Sequence, residues 1–188
     1  SRMLVWLRSD LRLADNPLFH FSTPPESLLC VFVLDSAWLD PLPGLDTTRI
    51  GSARLRFLWE SLIALRGELL KRGSDLLVRI GDPAEAVAAL AQAHAIDEVR
   101  VRADGGWEER QASARLAERL AGQATLTHLD SGLLLDEAAL PMAVADIPAS
   151  FSAFRRKVER RWSVPAARPA PTGTEIGLET GTGLGMAP

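Results

Sequence analysis

Short apolar runs alternate with longer stretches of helical periodicity along most of this 188-residue chain. The run Leu28–Leu34 is apolar throughout, which is typical of a strand buried on both faces of a parallel sheet. Strands that alternate with helices of ten or more residues predict βαβ units with right-handed crossovers. We therefore predict one α/β domain with a parallel sheet, whose five strands are Met3–Leu7, Leu28–Leu34, Leu76–Ile80, Val99–Arg102 and Thr125–Leu129.

The simplest arrangement of these units is a doubly wound, Rossmann-like or flavodoxin-like sheet in a three-layer α/β/α domain. The first strand is expected at the centre beside the fourth, with a crevice between their carboxyl ends. Proline early in a helix and glycine after its end mark the predicted helices. These are a helix beginning at Asn16-Pro17, Ser52–Arg72 closed by Gly73, Ala84–His94 capped by Asp82, Trp107–Leu120 closed by Gly122, and a basic helix at Phe151–Trp162.

Composition narrows the class of protein. The chain is 47% hydrophobic and 24% charged with a net charge of −3, and no apolar run approaches the roughly 20 residues of a membrane span. Its single cysteine, Cys30, cannot form an internal disulfide, so we predict a cytoplasmic protein without membrane contact. The acidic balance argues against an extended nucleic-acid surface. Residues 3–163 are predicted to form the domain, and the Pro/Gly-rich residues 164–188 a linker or flexible tail.

Ligands of open α/β sheets bind at the carboxyl ends of the strands, near the point where the strand order reverses. Four polar segments follow predicted strands there, and helix capping and loop solvation are their alternative roles: Arg8–Arg12, Asp35-Ser36, Gly81-Asp82 and Asp104–Glu109. The sequence has no dinucleotide fingerprint, no phosphate-binding loop, no cysteine–histidine metal spacing and no nucleophile elbow. We therefore assign no catalytic residue and no metal ligand.

The segment Leu4–Pro17 resembles the opening signature of the DNA photolyase/cryptochrome family. That signature is an apolar strand, then Arg-x-Asp-Leu-Arg, then Asp-Asn-Pro. The similarity covers about residues 3 to 162, and Phe151–Glu159 is similar to the end of this domain in the cryptochrome-DASH branch. It continues through Val31–Asp35, Arg54–Ser61 with Leu65-Arg66, and Gly73–Pro83.

The resemblance implies the N-terminal antenna domain of such a protein. It implies that Arg8, Asp10, Arg12 and Asp15 line a chromophore crevice and that Glu109 is a pterin contact. Asp35 is a candidate for the same cofactor site from its place after the second strand. The same loop, with Asp15, could instead tie itself together by ion pairs and helix capping. The antenna chromophore would be a folate (5,10-methenyltetrahydrofolate) or a deazaflavin, occasionally a flavin.

The same resemblance places the catalytic FAD and the DNA contacts in a C-terminal helical domain that this sequence lacks. The complete parent would be a lyase for light-driven repair of pyrimidine dimers, or a blue-light sensor. The resemblance implies that the folate antenna lies in a cleft between the two domains, so we expect antenna binding to this domain alone to be weak or absent. Ala112 and Ser113, where the resemblance leads us to expect Arg and Asp, would weaken it further. Deazaflavin, which sits deeper within this domain in the family, is the better candidate. The alternatives are a stand-alone flavodoxin-like domain for a nucleotide or small molecule, or an interaction domain with a vestigial pocket.

Overall fold

The computed structural model describes residues 1–129 and 139–172. Within them, the strands form one parallel sheet in the order β3-β2-β1-β4-β5. β1 is central, and the chain leaves it toward β2 on one side and returns to β4 on the other, as predicted. The strands are β1 (Arg2–Leu7), β2 (Ser27–Asp35), β3 (Leu76–Gly81), β4 (Glu98–Arg102) and β5 (Thr125–Leu129).

Helices cover both faces of this sheet. α1 (Ser52–Lys71) packs on one face through Leu62, Leu65 and Leu69. The opposite face is covered by α2 (Pro83–Ala93) and α3 (Trp107–Leu120), while α4 (Phe151–Glu159) follows later in the chain. Because successive strand residues point to opposite faces, β1 sends Met3, Val5 and Leu7 into the first core layer, and Leu4 and Trp6 into the second.

The predicted helix boundaries follow from local chemistry. Asp82 accepts a hydrogen bond from the Glu85 backbone N–H at 2.9 Å, and Pro83 occupies the first turn of α2. Gly73 and Gly122 have φ values of +76° and +79° just beyond α1 and α3, a left-handed conformation that glycine adopts without strain. These signals confirm the ends of the two long helices.

One predicted helix is wrong. Only a single 3₁₀ turn, Pro17–Phe19, forms between β1 and β2, although the Asn16 side chain caps it at the Leu18 N–H, 3.1 Å away. The chain becomes extended at His20, and Pro24-Pro25 soon after offers no N–H groups to continue a helix. The basic helix is also shorter than predicted, since α4 ends at Glu159.

No helix within the described residues is both long enough and apolar enough to cross a bilayer.

Candidate functional site

A cavity of about 310 Å³ lies at the carboxyl ends of β1, β2 and β4. It opens there because the chain diverges from β1 in two directions, which leaves a gap between the loops that follow the strands. Aromatic, cationic and acidic side chains share its wall. The lining residues are Trp6, Arg8, Ser9, Phe32, Val33, Asp35, Trp38, Arg54, Pro83, Asp104, Gly105, Gly106, Glu108, Glu109 and Ala112.

Arg8 connects the loop after β1 to the loop after β4. Its guanidinium donates to the carbonyl of Glu109 at 3.0 Å, to the carbonyl of Arg102 and to Ser113 Oγ at 3.4 Å. It also lies 4.8 Å above the ring centre of Trp6, a cation–π distance. Burial lowers the pKa of the Arg8 guanidinium, and the neighbouring Asp104 carboxylate opposes this effect. Arg8 is therefore a charged side chain that holds the cavity wall together through its contacts with Arg102 and Glu109.

Arg8 belongs to a row of alternating charges that also contains Asp104, Arg102 and Asp10. Its Nε lies 3.3 Å from Asp104 Oδ2, and Arg102 Nε lies 3.1 Å from Asp104 Oδ1. Arg102 in turn lies 3.9 Å from Asp10 Oδ2. All four side chains are at most a quarter exposed, so they are paired largely out of bulk water.

Aromatic rings form the apolar part of the wall. Trp6 and Phe32 are almost fully buried, each with 1% of its surface exposed. Trp38 follows β2 in a 3₁₀ turn, and the guanidinium of Arg54 lies 6.0 Å from its ring centre. Within the described residues, Arg54 has no acidic partner. The cavity thus has an apolar floor of buried rings, one partly exposed ring in Trp38, and in Arg54 a cation without an acidic partner among the described residues.

Two carboxylates retain free acceptor capacity. Asp35 Oδ1 accepts a hydrogen bond from the Ala37 N–H at 2.9 Å, so its second oxygen remains available. Within the described part of the chain, Glu109 accepts no hydrogen bond through its carboxylate. That carboxylate lies over Gly106, where an added Cβ would stand 1.8 Å from Glu109 Oε2. The absence of a side chain at Gly106 therefore leaves space for the Glu109 carboxylate.

The cavity unites three of the five residues predicted from sequence. Arg8, Asp35 and Glu109 line it, whereas Asp10 and Arg12 do not. Asp10 is 8% exposed and pairs with Arg12 Nε at 3.1 Å, so these two hold the loop together as the alternative reading of the signature proposed. Whether any of the five contacts a ligand stays a prediction.

Sequence reasoning assigned no role to Trp6, Trp38, Arg54 or Gly106. Arg54 begins the segment Arg54–Ser61, which resembles the family, and this resemblance could have indicated a role for it. Trp6 lies one residue before the carboxyl end of β1, where the crevice was predicted, and this position could have indicated it. Buried aromatic residues, however, serve most often as core. Ala112, 8% exposed, lines the wall at the position where the resemblance led us to expect Arg.

The family model described as DNA photolyase matches residues 3–172. The chain belongs to the DNA photolyase family. It corresponds to the N-terminal α/β domain, which confirms the resemblance seen in the signature. The chain is 35% identical over 90% of its length to cryptochrome DASH of Gloeobacter violaceus, and 31% identical over 84% to the blue-light photoreceptor PHR2 of Arabidopsis thaliana. It spans 34% and 35% of these relatives, about a third of their length.

Solved photolyase-family structures share the fold. The cryptochrome of Synechocystis sp. PCC6803 matches with a TM-score of 0.79 and 25% identity, over 90% of this chain and 36% of that one. An archaeal photolyase from Sulfolobus tokodaii matches with a TM-score of 0.74 and 19% identity, over 92% of this chain and 37% of that one. The five-stranded parallel sheet is thus the architecture of this domain.

Proposed function

We propose that this chain is a light-harvesting module that binds a planar heteroaromatic chromophore in the cavity beside β1. One observation carries the proposal: the same cavity is lined by aromatic residues and by the Glu109 carboxylate, which accepts no hydrogen bond from any described residue. The partly exposed Trp38 ring offers a flat apolar surface, and the carboxylate can accept hydrogen bonds from ring N–H groups of the ligand. Polar acceptors that converge in an apolar pocket are what a bound heterocycle requires.

The size of the cavity supports a ring system as the buried part of the ligand. At about 310 Å³ it lies near the lower end of the range for ligand sites, so a fused ring fills it and a tail would remain outside. Arg54, stacked against Trp38, then offers its charge to an anionic tail. A chromophore with a flat ring and a negatively charged tail satisfies both features.

Among the antenna chromophores, we propose a deazaflavin rather than a folate. The family resemblance implies that the folate antenna lies between two domains, so one wall of its site is absent from this chain. Losing about 100 Å² of apolar contact costs roughly 2.5 kcal/mol, or about 70-fold in affinity. A deazaflavin lies deeper in the α/β domain and depends less on that wall.

The wider role is proposed for the complete parent. There, residues 3–163 would form the antenna domain, residues 164–188 would lead toward a helical domain, and excitation would pass to an FAD held by that domain. Reaction with damaged DNA, or blue-light signalling, would take place there. The solved archaeal relative holds two FAD molecules and implies a novel light-harvesting cofactor in that protein, so a flavin antenna is a third candidate here.

A titration tests the proposal. A deazaflavin, 5,10-methenyltetrahydrofolate and FMN are each added to the purified chain, and the absorbance between 350 and 450 nm and the fluorescence are followed. We expect saturable binding of the deazaflavin, and a loss of about tenfold or more in Glu109→Gln, because a hydrogen bond to a charged acceptor is replaced by a weaker one. Glu118→Gln, on an exposed position of the same helix, is the matched control. Absence of binding for all three compounds would favour the interaction-domain alternative.

A further inference from the structure

Residues 168–171, which we call the strap, join two distant parts of the domain. The Arg168 N–H donates to Asp15 Oδ1 at 2.9 Å, and the Asp15 N–H donates to the Arg168 carbonyl at 2.8 Å. At the other end, Arg72 Nε donates to the Pro171 carbonyl at 3.0 Å. Pro171 is buried and Ala170 packs against the core layer under α1. The strap thus joins the loop after β1 to the end of α1.

Asp15 has an unusual backbone conformation where the strap holds it. Its φ is +51°, in the left-handed region that costs most residues about 1–2 kcal/mol. Its carbonyl accepts a hydrogen bond from Arg12 Nη2 at 3.1 Å, and Arg12 Nε lies 3.1 Å from Asp10 Oδ1. The reciprocal pair with Arg168 therefore fixes the end of the loop that carries both side chains.

The contacts continue from Asp10 to the cavity. Asp10 faces Arg102, Arg102 pairs with Asp104, and Asp104 pairs with Arg8, at 3.9, 3.1 and 3.3 Å respectively. A second route runs through the fully buried Asn16, whose Nδ2 donates to the Arg12 carbonyl at 2.9 Å and to the Asp10 carbonyl at 3.4 Å. Both series of contacts begin at residues beside Asp15, which the strap holds.

We propose that Asp15, held by the strap, is a positioning residue for the cavity. It fixes the loop of residues 8–15 and, through the row of ion pairs, the Arg8 guanidinium that holds the β4–α3 loop and Glu109 in place. The inference rests on the proposed function only where it concerns ligand affinity. The coupling of the strap to the β4–α3 loop rests only on the hydrogen bonds and ion pairs described above.

Hydrogen–deuterium exchange of the chain without ligand tests the coupling. In Asp15→Gly the left-handed backbone is retained and the carboxylate acceptor is lost. We expect amides of residues 8–16 and of residues 103–113 to exchange roughly fivefold faster, the factor that the loss of one hydrogen bond produces, with α2 unchanged. Arg72→Ala releases the other end of the strap and should act in the same direction.

Two matched variants serve as controls. Asp15→Asn keeps an acceptor oxygen and tolerates the left-handed region, and Arg168→Ala keeps the backbone atoms that make the contact. Both should match the wild type in exchange and bind a deazaflavin within twofold of it, while Asp15→Gly should bind about fivefold more weakly. If the wild type binds no deazaflavin, the proposed function fails, and the exchange data still decide the coupling.

Three results would overturn the inference. Unchanged exchange at residues 103–113 in both Asp15→Gly and Arg72→Ala would confine the strap to a local role. Equal acceleration in α2 would make Asp15 a contributor to global stability rather than a positioning residue. An effect of Arg168→Ala as large as that of Asp15→Gly would show that the backbone pair is not the contact that matters.

Discussion

Arg8 holds its charge in a place that excludes most water, among Asp104, Arg102 and Asp10. The sequence indicated that the charges of the signature loop could pair with one another, and the Arg12–Asp10 pair bears this out. It gave no indication that Arg102 would join them, because the partner comes from a strand that is remote in sequence and adjacent only after the sheet has formed. The order of these strands was predicted, but such a pairing also depends on the register and on the direction of each side chain, which local patterns do not encode.

We expect Asp104→Asn to lower the free energy of unfolding. Removing one partner of a buried pair costs about 3–5 kcal/mol, and because the Asp104 side chain is 16% exposed we expect roughly 2 kcal/mol here. Urea denaturation followed by circular dichroism measures the change. Asp46→Asn, in an exposed loop, should stay within about 0.5 kcal/mol of the wild type. Equal stability of the two variants would contradict the stabilising role of the cluster.

Cys30 should be unreactive in the folded protein. It is fully buried in β2, and burial raises the pKa of its thiol to about 12. Because the unfolded chain releases this proton near pH 9, the contribution of the thiol to stability is present below pH 9 and is lost as pH rises toward 12. A thiol reagent at pH 8 should label the chain only in urea. Rapid labelling under native conditions would be inconsistent with this burial.

At the scale of elements, the sequence was most informative where one residue decides a boundary. Gly73 and the Asp82-Pro83 pair set the end of α1 and the start of α2, because their backbone requirements are local. The same reasoning failed at Asn16–Phe19, where an equally good cap leads into a single 3₁₀ turn. The cap signals a start, and the residues that follow it decide whether a helix continues.

The α2 cap allows a capping bond to be separated from an ion pair. Asp82 accepts from the Glu85 N–H through Oδ1 and pairs with Arg115 of α3 through Oδ2, at 3.0 Å. We expect Asp82→Ala to lower the free energy of unfolding by about 1 kcal/mol, as the loss of a cap does. Arg115→Ala breaks only the exposed pair and should cost under about 0.5 kcal/mol. Thermal denaturation of both variants compares them, and equal losses would assign the effect to the ion pair.

At the scale of the whole molecule, the sheet was predictable because every strand is signalled within its own few residues. The packing of residues 168–171 was not, because Arg-Pro-Ala-Pro has the composition of a linker and its contacts are made with remote segments. Of the candidate site, the polar side chains that follow strands were predictable. The contribution of Trp6 and Phe32 was not, because an aromatic side chain in a strand has the same appearance in sequence whether it fills a core or borders a cavity.

We expect the isolated chain to be inactive in repair. It spans about a third of the length of its relatives, and the family resemblance implies that FAD is held by a domain outside this third. The test is illumination of a thymine-dimer oligonucleotide with this chain and added FAD, followed by chromatography of the bases. A full-length photolyase is the positive control. Catalytic recovery of intact thymines would mean that the chain contains repair chemistry of its own.

The bond between Arg168 and Asp15 joins residues 153 positions apart, and this has a consequence for the order of biosynthesis. A ribosome that adds about 5–20 residues per second completes the signature loop early, then needs roughly 8–30 s more to supply its partner. During that interval the nascent sheet can form, while Asp15 has no strap to hold its left-handed backbone. The loop is therefore translated well before its partner and is among the last parts of this domain to become fixed.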